Sequence, residues 1–250
     1  KQSLPGRTDE AAARGKSRRC MKCVLVRRHL RRHHARMIAT HTLTLAKLAE
    51  HLLDDEIHVW RLDYQPQQRR EPLRAVLGAY LGIDGDRVVL TDGEHGRPAL
   101  ANAHDQSLGF NWSHSGGHAL IAIGRRIAPG IDLELLRVRP RALEIAKRYF
   151  TDDETSALAV LPMSARHAAF LELWTAKEAV LKALGRGLAF GLDRLSITST
   201  IDRLTLQRLE GDDVHAWQLQ RLPVDTMLVA ALAWRGEARR IQLGTLASGD

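Results

Sequence analysis

Residues 165–185 read ARHAAFLELWTAKEAVLKALG, a long helical stretch that Ser164 can cap and that closes on Gly185, a residue suited to the left-handed helix end. The chain then changes period. Leu195–Thr200, Leu204–Leu209, His215–Leu222 and Met227–Trp234 alternate apolar and polar side chains as antiparallel strands do. Upstream, Ile57–Leu62 alternates likewise, and Leu73–Leu81 places Leu73, Val76, Leu77, Tyr80 and Leu81 at helical spacing before Gly82. Arg87–Leu90, Leu108–Trp112, His118–Ile123 and Gly130–Leu135 read as strands, and Arg141–Phe150 as a helix. Thr151-Asp152-Asp153-Glu154 has the form of a capping box, opening a helix that ends before Pro162. Helix and strand mix without a regular βαβ alternation, which predicts an α+β fold. The pattern divides near Pro129 into two similar halves, 56–128 and 129–250, preceded by a basic extension over residues 1–55.

The 250 residues are 44% hydrophobic with a formal charge of +8, a composition that excludes fibrous and wholly disordered classes. The charge is local: Lys1–Arg36 holds twelve Lys or Arg against two acids, so the remainder is slightly acidic. Such an arm suits nucleic acid in charge, but it lacks aromatic residues for base stacking; a nucleic-acid role is not expected of the folded body. Cys20 and Cys23 form a lone C-x-x-C in the arm, with His29, His33 and His34 nearby, short of a second ligand pair at finger spacing. The body has no cysteine, so disulfides do not hold it, which fits a reducing cytoplasm. Apolar runs such as Met227–Trp234 are far shorter than the roughly 20 residues of a membrane span, and no membrane partner is expected.

Asp132 and Glu134 sit two apart on the strand Gly130-Ile131-Asp132-Leu133-Glu134, so both carboxylates project to one side while Ile131 and Leu133 project to the other. The spacing leaves open a solvated strand face or a site for a hard cation such as Mg²⁺. Trp174, Glu178 and Lys182 recur at i, i+4 and i+8, on one helix face; alone, an acid and a base one turn apart form an ordinary surface pair. His114 falls in Phe110-Asn111-Trp112-Ser113-His114-Ser115-Gly116-Gly117, read as a polar loop after a strand, where hydroxyl, imidazole and backbone N–H groups suit phosphate. The sequence has no G-x-S-x-G elbow to make Ser113 and His114 a hydrolase pair. Gly96-Arg97-Pro98 adds a cation on a rigid turn.

These motifs, in this order, resemble the Sfp-type 4′-phosphopantetheinyl transferases: Gly96-Arg97-Pro98, the Phe110–Ser115 stretch, Gly130–Glu134 and Trp174–Leu188, with Arg148-Tyr149-Phe150, Glu154 and Leu158 similar to the family's connecting segment. The resemblance runs from about Ile57 to the C-terminus. It implies a pseudo-twofold pair of α+β halves in a monomer, with coenzyme A as co-substrate in the cleft between them and an acyl or peptidyl carrier protein as partner. It further implies Asp132 and Glu134 as Mg²⁺ ligands, Glu178 as third ligand or general base, and a carboxylate cluster within metal distance. Lys182 would neutralise the leaving 3′,5′-ADP, and Arg97, Pro98, Ser113 and His114 would contact the nucleotide. Three departures accompany it. The Arg-rich helix expected before Leu73 is shortened, so that Arg69, Arg70 or Arg74, or arginines of the basic arm folded back, would have to supply its cationic contacts; Arg97 stands where Lys is usual; and Trp112 replaces a small aliphatic residue.

Overall fold

A computed structural model of the chain describes residues 38–41, 45–93 and 96–246. The basic arm, its C-x-x-C pair and its arginines lie outside the described residues, which belong to one compact unit.

The element order repeats. The first half runs β1 (Ile38–His41), α1 (Leu45–Ala49), β2 (Glu56–Asp63), α2 (Glu71–Leu81), a hairpin of β3 (Leu90–Asp92) and β4 (Pro98–Leu100), then β5 (Leu108–Ser115) and β6 (His118–Arg125). The second runs β7 (Gly130–Leu135), α3 (Ala142–Tyr149), α4 (Asp152–Ala159), α5 (Met163–Leu184), a hairpin of β8 (Leu195–Ser199) and β9 (Leu204–Leu209), then β10 (Trp217–Arg221), β11 (Leu228–Arg235) and β12 (Arg240–Thr245). Strand, helix, hairpin, two strands occurs twice, and each copy builds an antiparallel sheet in the same order, β2-β6-β5 and β7-β11-β10. β12 then leaves the second half and inserts between β1 and β2, parallel to both. The halves are therefore tied together by the end of the chain.

Three apolar clusters give the layers. One face of the first sheet packs Trp60, Phe110, Ile121 and Ile123 against Leu73 and Leu77 of α2. Its other face joins Ile57, Val59, Leu120 and Ala122 to Ile131, Leu133, Leu232 and Trp234 of the second sheet. The far face of the second sheet, through Ala231 and Ala233, receives α5 with Leu171, Ala176, Ala179 and Val180. Each fully buried Leu or Ile in these layers contributes roughly 1.5–3 kcal/mol.

The period-2 and helical readings place most of these elements. Gly82 and Gly185 close α2 and α5 in the left-handed conformation, and Thr151 and Glu154 form both hydrogen bonds of the capping box. Four points differ. α5 starts at Met163, directly after Pro162, with no side-chain cap, so Ser164 lies in its first turn. The segment read as a strand from Arg87 is a helical turn at Gly85–Arg87, and pairing begins only at Leu90. Order reaches further back than Ile57, because Leu48, Ala49 and Leu52 bury against the first-half core. β5 continues through His114 and Ser115 instead of opening into a loop. Gly116 and Gly117, both at positive φ, make a two-residue hairpin turn, so His114 pairs with Ala119 and Ser115 with His118.

Gly130 fixes how closely α5 approaches β7. A Cβ built there would lie 2.0 Å from the Ala179 carbonyl oxygen and 2.3 Å from the Ala183 nitrogen, both helix backbone atoms that cannot swing aside. Gly130→Ala is expected to cost about 3 kcal/mol in chemical denaturation; a loss below about 1 kcal/mol would show that the helix shifts without penalty.

Candidate active site

The site lies at the seam between the halves, where edge strand β5 of the first sheet runs beside edge strand β7 of the second. Side chains of alternate β5 residues bridge the two. Asn111 accepts a hydrogen bond from the Ile131 N–H at 3.0 Å, and the Ser115 hydroxyl accepts from the Leu135 N–H at 3.1 Å. Ser113 donates to Asp132 Oδ1 at 2.8 Å, and Ser115 donates to Glu134 Oε2 at 3.0 Å. Asn111, Ser113 and Ser115 thus carry the polar register that joins the sheets. Period-2 alternation in Phe110–Ser115 was the signal for this role.

α5 brings the opposite charge. Lys182 Nζ donates to Asp132 Oδ1 at 2.7 Å and to the Ile131 carbonyl at 3.0 Å. One turn back, Glu178 makes no hydrogen bond or ion pair among the described residues. Burial first, then the neighbouring Asp132, pushes its carboxyl up to about 7; Glu134 adds to the rise and Lys182 opposes it. Glu134 is held by Arg139 at 3.1 Å. The expected metal-distance cluster of Asp132, Glu134 and Glu178 is not formed: among the described residues no three His, Cys, Asp or Glu side chains stand where they could hold an ion. Two of the acids have instead taken Lys182 and Arg139 as partners. The donor set nevertheless fits a hard divalent cation in kind, with three carboxylates in one electrostatic field and one of them without a hydrogen bond or ion pair among the described residues.

The other expected contacts divide. Ser113 is buried, and its proton goes to Asp132. His114 projects from the opposite face of β5, its ring tilted against Tyr64 at 4.6 Å and 5.2 Å from Trp112. Burial first, and then the charge of Lys182, pull its imidazole below the usual range. Trp112, the substituted position, packs edge-on against Tyr64 at 5.5 Å. Arg97 gives its guanidinium to three backbone carbonyls, those of Lys182, Phe110 and Pro129, with Pro98 half-buried beside it. Trp174 packs at a tilt against Phe150 and Phe170 in the second-half core. Arg186 lies over the Phe190 ring, and Arg70 pairs with Asp92 at 2.6 Å.

Sequence reasoning missed Lys177, which is fully buried in α5 beside Glu178 and donates to Glu154. It also missed Arg139 as the partner of Glu134. A cavity of about 1200 Å³ between α4, the first half of α5 and β8 is lined by Leu158, Ala165, Glu172, Ile197 and Arg221. None of Asp132, Glu134, Glu178 or Lys182 lines it, so this cavity is separate from the charged seam.

Residues 128–233 match the family model of the 4′-phosphopantetheinyl transferase superfamily. The chain is 33% identical over 218 residues to the 4′-phosphopantetheinyl transferase HetI of Nostoc sp., spanning 74% of this chain and 90% of HetI. It is 33% identical over 125 residues to the 4′-phosphopantetheinyl transferase Sfp of Bacillus subtilis, spanning 50% of this chain and 54% of Sfp. A solved holo-(acyl-carrier-protein) synthase from Bacillus anthracis, in complex with CoA (3′,5′-ADP), aligns with 44% of this chain and 96% of its own at 18% identity and a TM-score of 0.37. The chain belongs to the 4′-phosphopantetheinyl transferase superfamily.

Proposed function

We propose that this protein transfers the 4′-phosphopantetheine arm of coenzyme A to a serine of an acyl or peptidyl carrier protein, releasing 3′,5′-ADP. The observation that carries the reading is the face of α5 that sets Lys182 on Asp132 and places Glu178, unpaired among the described residues, beside both strand acids. In the reaction the serine oxygen bonds to the phosphorus that carries pantetheine, and the pyrophosphate bond to the 5′-phosphate of 3′,5′-ADP breaks.

Glu178 is suited to take the serine proton, because a carboxyl near pH 7 both accepts and releases a proton at working pH. Lys182 balances the charge that accumulates on the departing phosphate. His114, packed against Tyr64, would present its imidazole toward the nucleotide. Asp132 and Glu134, with Glu178 in their field, would hold Mg²⁺, which when bound neutralises pyrophosphate oxygens. Among the described residues no helix is long and apolar enough to cross a membrane; the carrier protein partner is placed in the cytoplasm as part of this proposal.

The test is intact-mass spectrometry of an apo carrier protein incubated with the protein, coenzyme A and Mg²⁺. One added phosphopantetheine, absent with chelator, is the expected result. No addition to several unrelated carriers by folded protein would overturn the reading.

A further inference from the structure

Arg97 sits at the base of the β3–β4 hairpin, whose turn is closed by the Gly93 N–H donating to the Arg97 carbonyl at 2.8 Å. The half-buried guanidinium reaches out of the hairpin to three separate elements. Nη1 donates to the carbonyl of Lys182 in the last turn of α5 at 2.5 Å. Nη2 donates at 3.1 Å to the carbonyl of Phe110 on β5, and at 3.1 Å to that of Pro129, just before β7. Each acceptor adjoins a component of the site. Phe110 precedes Asn111, which receives the Ile131 N–H across the seam. Pro129 precedes Gly130, where a Cβ would run into the backbone of α5. Lys182 is itself the residue whose Nζ rests on Asp132.

We infer that Arg97 is a positioning residue for phosphopantetheine transfer: it pins the last turn of α5 to both edge strands, so that Lys182 and Glu178 hold their place over the carboxylates. This rests on the function proposed above. A cation on the last carbonyls of a helix is also favoured by the helix dipole. A guanidinium has five N–H donors spread in a plane, and three of them here go to backbone. An ammonium carries its three donors on one nitrogen, whereas the guanidinium here divides them, Nη1 toward α5 and Nη2 toward Phe110 and Pro129. A lysine at this position would have to gather all three carbonyls around a single atom, and the charge of Arg97 is spent inside the protein.

The experiment compares wild type, Arg97→Lys and Arg97→Ala by hydrogen exchange and by steady-state transfer, with coenzyme A and with 3′-dephospho-coenzyme A. Amides of residues 130–132 and 183–187 are expected to exchange several-fold faster in both variants, a readout independent of activity. The expected kinetics are kcat lower by about 10- to 100-fold in both variants. KM for coenzyme A should change less than about two-fold, and the preference over the dephospho form should be retained. Arg97→Lys near wild type, or a raised KM with that preference lost, would make Arg97 a phosphate contact and overturn the inference. A lowered melting temperature with unchanged kcat per folded molecule, or unchanged exchange at the seam, overturns it too. If wild type itself transfers nothing, the proposed function fails, while the exchange data still decide whether the clamp exists.

Discussion

Glu178→Gln is expected to lower transfer by at least about 10²-fold while making the metal-free protein more stable at pH 8. The two effects have one cause. Folding places the Glu178 carboxyl in a half-buried position beside Asp132 and raises it from 4.5 to about 7, so the native state resists its ionisation. An unfolded chain loses that proton near its ordinary value. A group whose folded value is raised in this way, when it is an acid, withdraws stability as pH climbs from about 4.5 to about 7, and the penalty is constant above that. Discounted for partial exposure, the shift corresponds to about 2 kcal/mol. Glutamine keeps the shape without the charge, so the variant should gain about that amount over wild type at pH 8 and little at pH 4.

Equilibrium denaturation at the two pH values, without metal, reads this directly. Added Mg²⁺ should then stabilise wild type more than Glu178→Gln at pH 8, since only wild type has a third carboxylate to neutralise. A variant no more stable than wild type at pH 8 would mean that Glu178 is already compensated, and its assignment as an unpaired proton acceptor would fall with that result. Stability withheld at a site and returned by substitution is the usual trade between function and fold.

Local rules made most of this architecture legible. Alternation located β7 to the residue, and the left-handed glycines ended α2 and α5 where the helical period stopped. Asp132 and Glu134 could be put on one side because a strand permits nothing else. Three kinds of information were not local. β12 carries Arg240, Gln242 and Thr245 around a buried Ile241, a weak alternation whose meaning depends on two strands far upstream. The stretch around His114 looks like a loop by composition, since polar residues end in two glycines. Only its pairing with β6 and its edge against β7 explain why Asn111, Ser113 and Ser115 are polar and still buried or half-buried. Arg97 carries a charge that any sequence reader assigns to an anion, because nothing in Gly96-Arg97-Pro98 reveals three carbonyls waiting on other elements.

Lys177 is the same lesson with the largest stability consequence. It stands between Ala176 and Glu178 in a stretch that reads as an amphipathic helix with charged residues outward, yet it is wholly buried. Its ammonium donates to the carbonyls of Leu192 at 2.8 Å and Leu195 at 2.6 Å, and pairs with Glu154 Oε2 at 2.7 Å. All three protons are thereby used. Glu154 is equally committed, accepting from the N–H and hydroxyl of Thr151 at 3.0 Å each and from the Ile197 N–H at 2.8 Å. Burial pulls the lysine down from its ordinary value, and Glu154 works against that pull.

Lys177→Met is therefore expected to destabilise the protein by about 3–5 kcal/mol, because it strands a buried carboxylate and two carbonyls. Adding Glu154→Gln should recover part of the loss, since the second change removes the stranded charge. Chemical denaturation of the two single variants and the double variant measures the coupling. A Lys177→Met loss within about 1 kcal/mol of zero, or a double variant weaker than the sum of the singles, would show that the pair does not act as a unit. The pair also fixes the rotation of α5 about its own axis. Lys177 is tethered to α4 and β8 on one side of the helix, and the next residue, about 100° further round, is Glu178. Anchoring the first directs the second toward the carboxylates of β7. Folded Lys177→Met protein, measured well below its melting temperature, should accordingly lose kcat as well as stability, although Lys177 touches no substrate.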